Sequence, residues 1–286
     1  MQSGFVAVAG RPNVGKSTLV NALCGGKVAT VSPVPHTTQR RIFGIDSGEH
    51  HQLVLVDMPG FQRPRDPLTE RMQRTVDSSF EDIDAVLLVL DARARIGAGD
   101  AFIGRRVFAL GLPVVIALNK VDRLKPSHIA AQMKVAAGLG DFHALHPVSA
   151  KTREGVTELR DDLIELLPEG PLYFPPEQRT DLGVEEQIAE LVREKALQLT
   201  REEVPHAVTV EVLEVDDRNV RAVVLVETES QKTILVGKKG SMIREIGSRA
   251  RPEIDHLLGR RIFLDLTVKV RPRWRRDQAL LERLGL

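Results

Sequence analysis

Short apolar runs alternate with helical stretches through the first 167 or so residues. Phe5–Ala9, Leu53–Val56, Ala85–Leu90 and Val114–Leu118 are dense in valine, leucine and isoleucine, as strands buried on both faces are. Ser17–Leu23, Thr69–Phe80 and Gly99–Leu110 carry helical spacing between them. This alternation predicts an α/β fold with a doubly wound sheet. From Pro168 to Gly183 the pattern stops, and Pro168, Gly170, Pro171, Pro175, Pro176 and Gly183 predict a semi-rigid linker. Beyond it, Val184, Ile188, Leu191, Val192 and Leu199 form a helical stripe. Ala207–Val215 and Val220–Val226 alternate as hairpin strands around the turn residues Asp216–Asn219. Thr233–Val236 looks strand-like, Ser241–Leu258 is helical in period, and Arg261–Val270 alternates again. The order helix, strand, strand, helix, strand predicts a small α+β domain. Pro252 falls inside the Ser241–Leu258 pattern; an interior proline costs about 3 kcal/mol, so a kink or two shorter helices is expected. The expected division is a first domain at 1–167, a linker at 168–183 and a second domain at 184–286.

Composition supports two folded domains. At 286 residues, 42% hydrophobic and 28% charged, the chain has ample material for cores and does not resemble a disordered protein. Its single cysteine, Cys24, excludes an intramolecular disulfide and a cysteine-rich zinc site. The histidines His50, His51, His143 and His146 form no metal set. No apolar run approaches the roughly 20 residues that span a bilayer, and the N-terminus shows no basic leader or cleavage signal, so a cytoplasmic protein is expected. Nothing suggests an obligate dimer, and a monomer is expected. Net charge is +1, but Gly237 to Arg276 holds 12 Lys/Arg against 4 Asp/Glu. A segment of +8 on an otherwise acidic chain is a footprint for a polyanion.

The sharpest motif is Gly10-Arg11-Pro12-Asn13-Val14-Gly15-Lys16-Ser17, which matches G-x-x-x-x-G-K-[ST] between a predicted strand and a predicted helix. The glycines let the backbone turn until successive N–H groups face phosphate oxygens, and the helix start, with Thr18, adds its positive dipole end. Lys16 supplies a cation for the β- and γ-phosphates, and Ser17 a hydroxyl for Mg²⁺. Asn119-Lys120-Val121-Asp122, past the fourth strand-like run, selects the base. The Asp122 carboxylate can accept from guanine N1–H and its 2-amino group, donors that adenine does not pair. Asn119 and Lys120 would hold the loop and cover the base. Asp57-Met58-Pro59-Gly60 places Asp57 to reach Mg²⁺ through water, and the Gly60 N–H to meet the γ-phosphate. Of Thr37 and Thr38, Thr38 is favoured to complete the Mg²⁺ shell. Ser149-Ala150-Lys151 could support the guanine from its other side. Lys16, Thr38 and Gly60 are the candidate catalytic groups.

Gly237-Lys238-Lys239-Gly240, leading into Ser241 and Arg244, is a G-x-x-G turn before a helix inside the basic segment. Such a turn admits a nucleic-acid backbone without Cβ interference, as in KH domains. Arg271, Arg273 and Trp274 in the basic tail would add phosphate-binding charge and one stacking-capable ring. With aromatics at only 4%, base stacking of the RNA-recognition-sheet kind is disfavoured.

The nucleotide elements together resemble the translation-factor-related small GTPases, in particular the Era and EngA branch. From about residue 4 to residue 276, through Pro168–Pro171, Glu202–His206 and Gly237–Gly240, the chain resembles the bacterial ribosome-assembly GTPases of the Era family. The resemblance implies a P-loop G domain, a type II KH domain, GTP/GDP and Mg²⁺. It also implies binding to the 3′ end of 16S ribosomal RNA, a role in 30S assembly, and peripheral association with the inner membrane. Phe61 stands where Ras-like proteins carry a water-orienting glutamine; the family is known for a hydrophobic residue there, which implies slow intrinsic turnover. An asparagine like Asn13 implies a possible K⁺ near the phosphates. Gln39 departs from the arginine the family usually has after the paired threonines. A GTP switch whose second domain binds protein or anionic lipid, and a metabolic P-loop kinase, are the other readings; the G-x-x-G placement weighs against the first and Asn119–Asp122 against the second.

Overall fold

The computed structural model describes residues 1–31, 38–59, 66–78 and 82–286, which form two compact units. In the first, β1 (Gln2–Ala9), β2 (Ile42–Ser47), β3 (His51–Asp57), β4 (Ala85–Asp91), β5 (Val114–Asn119) and β6 (Ala144–Val148) make one sheet in the order β2-β3-β1-β4-β5-β6. All neighbours are parallel except the β2–β3 edge pair. Helices α1 (Lys16–Leu23), α2 (Pro67–Ser78), α3 (Ala98–Phe108), α4 (Pro126–Ala137) and α5 (Val156–Glu165) connect them.

The strand runs are apolar throughout because successive residues enter two different cores. Val6, Val8, Leu53, Leu55, Leu87, Val89, Val115 and Ala117 join α1 and α5 on one face. Val86, Leu88, Leu90, Val114, Ile116 and Leu118 join Ile103 and Val107 of α3 on the other. The order reverses at β1, so the carboxyl ends of β1, β3 and β5 open onto the switch point where such sheets bind ligands.

The expected linker is not a free span: residues 168–181 belong to the first unit. Ser3 N donates to Pro168 O (2.9 Å), Ile45 N to Arg179 O (2.9 Å), and the Gln52 side-chain oxygen accepts from Tyr173 and Phe174 N–H (2.7 and 3.0 Å). Tyr173 and Phe174 set their rings edge-on against Phe5 and Phe43. The proline-rich composition is explained by an extended strap that pairs with sheet edges rather than by an exposed tether.

The second unit takes in Leu182–Leu286 and short stretches that include Thr30 and Asp66. Its elements are α6 (Val184–Leu199), β7 (Thr209–Val215), β8 (Asn219–Val226), α7 (Glu229–Val236), α8 (Ser241–Leu258), β9 (Phe263–Val270) and α9 (Gln278–Arg283). The sheet order is β7-β8-β9, with β7 antiparallel and β9 parallel to β8. Ile188, Val192 and Ala196 of α6 and Ile246, Ala250 and Ile254 of α8 close its core over Val210, Val220, Ala222 and Val224.

Two elements of this unit differ from the sequence pattern. Thr233–Val236 ends a helix, not a strand: Thr228 accepts from Gln231 N (3.3 Å), and the Gln231 side-chain oxygen accepts from Thr228 N (3.1 Å), a reciprocal cap that starts α7. Of the kink or two shorter helices expected at Pro252, the second does not occur: α8 continues through it as one helix. Pro252 and Ser248, whose carbonyl loses its donor, both lie on the exposed side, where water substitutes for the missing N–H.

Candidate functional site

The loop between β1 and α1 carries the phosphate-binding motif. Gly15 has φ 100°, and a Cβ there would fall on the Asn119 amide, so only glycine fits. Lys16 is buried, and its Nζ donates to Gly10 O (3.1 Å) and Arg11 O (3.2 Å). Burial pushes the ammonium below its usual range against the pull of Asp57. A buried cation resting on two loop carbonyls is poised for an anion that would desolvate it no further.

Ser17, Thr38 and Asp57 converge although 40 residues of chain separate the first from the last. Ser17 Oγ donates to Asp57 Oδ2 (2.7 Å) and lies 3.3 Å from Thr38 Oγ1. Asp57 is fully buried, and burial pushes its carboxyl up against the Lys16 charge and bonds from Ser17, Thr38 and the Met58 amide. Its Oδ1 has no hydrogen-bond partner among the described residues. Two hydroxyls and a carboxylate with one orphaned oxygen are a hard-oxygen donor set that fits Mg²⁺. Thr37, Gly60 and Phe61 lie outside the described residues.

The base-side motif leaves the carboxyl end of β5. Asn119 Nδ2 donates to Val14 O (2.9 Å), and its Oδ1 accepts from Lys120 N (2.8 Å) and Ala150 N (3.0 Å), so one buried amide ties three loops together. Lys120 Nζ donates to Asn13 O and pairs with Asp91 Oδ2 at 2.6 Å. Val121 packs inward, and Asp122 Oδ1 accepts from the buried Ser149 hydroxyl (3.0 Å). Lys151 is exposed beside Ala150. Asp91 was missed by sequence reasoning. Its signal is position: it ends β4 in register with Asn119. Burial raises its carboxyl, but bonds from Lys120 and Arg93 outweigh this and leave it below the usual range.

In the second unit, Gly237–Gly240 is a tight turn between α7 and α8, with positive φ at Gly237 (70°), Lys239 (52°) and Gly240 (75°). Lys238 and Lys239 are exposed, Ser241 opens α8, and Arg244 Nη2 braces the turn by donating to Lys239 O (2.9 Å). The tail differs from expectation. Trp274 is wholly buried, with Nε1 donating to Ala207 O at 2.8 Å, so its ring offers no face to a base. Arg271 is paired with Asp277 at 2.6 Å, while Arg273 is exposed. The tail's cations therefore serve partly to seat α9, and Trp274 is a core residue, not the stacking ring expected from the sequence.

A phosphate loop, a hydroxyl–carboxylate cluster and an Asn-Lys-x-Asp loop at the carboxyl ends of one sheet's strands define a P-loop GTPase, here followed by a KH fold. Residues 5–120 match the family described as 50S ribosome-binding GTPase, and residues 201–275 match the KH domain. GTPase Era of Carboxydothermus hydrogenoformans is 41% identical, over 99% of this chain and 97% of its own. GTPase Era of Thermotoga maritima is also 41% identical, over 100% and 98%. A crystal structure of Aquifex aeolicus Era bound to GDP·AlF4⁻ superposes with TM-score 0.95 at 35% identity, covering 100% of this chain and 99% of that one. A second, of Era in complex with MgGDPNP and nucleotides 1506–1542 of 16S ribosomal RNA, gives TM-score 0.92 at 35% identity and the same coverage. The chain belongs to the GTPase Era family.

Proposed function

We propose that this protein hydrolyses GTP as a switch, binds 16S ribosomal RNA near its 3′ end through the KH fold, and acts in assembly of the 30S subunit. The observation that carries this reading is the full-length match to an Era structure holding both MgGDPNP and a 16S fragment. This chain's own residues supply the parts. Lys16 and the loop amides from Asn13 to Ser17 receive the phosphates, and Asp122 and Ser149 receive the guanine edge. Ser17, Thr38 and Asp57 would hold Mg²⁺, which neutralises phosphate charge when bound. Lys238, Lys239 and Arg244 at the Gly237–Gly240 turn face the RNA backbone, with Arg273 beside them in role.

With Phe61 unable to orient water, intrinsic hydrolysis is slow and rests on positioning and charge. K⁺ near Asn13 belongs to the same proposal. Among the described residues no helix is long and apolar enough to cross a membrane; any inner-membrane attachment is peripheral, through exposed basic residues. Phosphate release from GTP and ATP, in K⁺ and in Na⁺ buffers with Mg²⁺, tests the nucleotide half. Release from GTP alone is expected, faster in K⁺. Equal rates with ATP would overturn the guanine assignment, and equal rates in K⁺ and Na⁺ the potassium. Retention of a 16S 3′-end fragment that declines with salt tests the other half; retention of anionic vesicles but not RNA would return the KH fold to lipid.

A further inference from the structure

Among the described residues, side chains from two directions grip the phosphate loop, and one of the two is not a nucleotide motif. Asn119 holds the Val14 carbonyl and Lys120 the Asn13 carbonyl. The other direction is α3. Arg11 Nε donates to Asp100 Oδ1 at 2.7 Å, and Asp100 is almost completely buried, its side chain only 1% exposed. The same carboxylate caps its own helix, with Oδ2 accepting from Gly97 N at 3.0 Å. Arg11 reaches it by lying across Gly99, where an added Cβ would stand 2.9 Å from Arg11 Cδ. A small residue and a buried carboxylate of α3, neither of them in a nucleotide motif, thus fit the arginine of the phosphate loop.

We infer that Asp100 is a positioning residue for guanine-nucleotide binding, acting through Arg11 to fix the phosphate loop before the ligand arrives. The Arg11 carbonyl is one of the two on which Lys16 Nζ rests. Anchoring the Arg11 side chain therefore sets the backbone that parks the phosphate-binding ammonium. A charge-assisted bond to a buried carboxylate is among the stronger local restraints, and a loop held in its binding conformation loses less freedom when the ligand binds. In this role the Arg11 guanidinium is a strut committed to Asp100 and not a phosphate ligand. The β-phosphate, which GDP and GTP share, lies within the loop's cradle. Loss of the strut consequently weakens both nucleotides by the same factor.

This inference rests on the chain's binding guanine nucleotide, so wild-type affinity for a fluorescent GDP and a fluorescent GTP analogue is the control; no binding by the wild type would defeat that reading instead. The test is a double-mutant cycle on those affinities, with circular dichroism and melting temperature recorded for every variant. Asp100→Asn keeps an oxygen for the Gly97 cap but removes the charge, and Arg11→Met keeps the aliphatic stem. Each is expected to raise Kd about tenfold, equivalent to about 1.4 kcal/mol, for both nucleotides alike. The double variant is expected to be no weaker than the weaker single, because both changes break one contact. Gly99→Ala gives an independent arm: alanine favours the helix, so the melting temperature should hold or rise while Kd rises. Unchanged Kd in all three single variants, or losses that multiply in the double, would overturn the inference.

Discussion

Trp274→Phe separates a structural tryptophan from an RNA-stacking one. The indole is fully buried and its Nε1 donates to Ala207 O, a backbone carbonyl in a buried stretch. Phenylalanine preserves an aromatic ring but deletes the donor. An orphaned buried acceptor costs about 1–3 kcal/mol, and the space left by the smaller ring adds about 1 kcal/mol. The expected loss is about 2–4 kcal/mol, a drop of roughly 1–2 M in the urea midpoint of the second unit. Trp274→Ala removes the ring as well, and should lose at least about 3–5 kcal/mol. Because Trp274 is the chain's one tryptophan, wild-type fluorescence reports this position alone. Emission should be blue-shifted in the folded protein and move red on unfolding. It should stay unshifted and unquenched when RNA is added. Unfolding of the variants is followed by circular dichroism, and RNA affinity of Trp274→Phe, measured without denaturant, should stay within about twofold of wild type. A stable Trp274→Phe protein that has lost tenfold or more in RNA affinity, together with quenching of the wild type by RNA, would refute the buried-strut account.

Three further outcomes are expected. Asp122→Asn exchanges an acceptor pair for one acceptor and one donor. Losing one bond to an ionised group, at about 1.5–3 kcal/mol, removing the charge from the other and setting two donors face to face should weaken GDP by at least about 100-fold and favour xanthosine diphosphate, whose 2-oxo group accepts from the amide; fluorescence competition reads both. Chelating Mg²⁺ leaves Asp57 facing phosphate charge without a cation, so GTP hydrolysis should fall at least about 100-fold, matching several kcal/mol of charge stabilisation, and return on adding Mg²⁺ to a phosphate-release assay. Cys24 is buried and its thiol is pushed up to about 12 by burial and the nearby Asp46 charge. It should therefore resist a disulfide reagent at pH 8 in the folded protein and react at once in urea; rapid native labelling would contradict the packing around α1.

The first unit's strands are readable because each apolar run faces two cores and so shows no polar interruption. β2 is not, since an edge strand such as Ile42–Ser47 mixes polar and apolar residues. Thr233–Val236 shows the ambiguity of short apolar runs: four residues carry no period. The Thr228–Gln231 box that settles it as helix is present in the sequence but sits just upstream of the run. The nucleotide motifs are legible because phosphate and guanine chemistry allow few residue types at fixed spacing. Asp91 and Asp100 are not, since they act through Lys120 and Arg11, and a partner 29 or 89 residues away leaves no local mark. Burial of Trp274 was hidden for the opposite reason. Four neighbouring arginines make Arg271–Arg276 look solvent-exposed, yet a single turn of 3-10 helix at Trp274–Arg276 points the ring inward.

We propose that one chain couples a GTP site to an RNA site. Affinity for a short single strand matching the 3′ end of 16S ribosomal RNA tests it most directly, measured with a non-hydrolysable GTP analogue and with GDP. A variant carrying Lys238→Glu and Lys239→Glu is measured beside the wild type. The account predicts binding that depends on which nucleotide is present, that weakens with salt, and that is lost in the variant. RNA affinity that ignores both the nucleotide and the two lysines would contradict it.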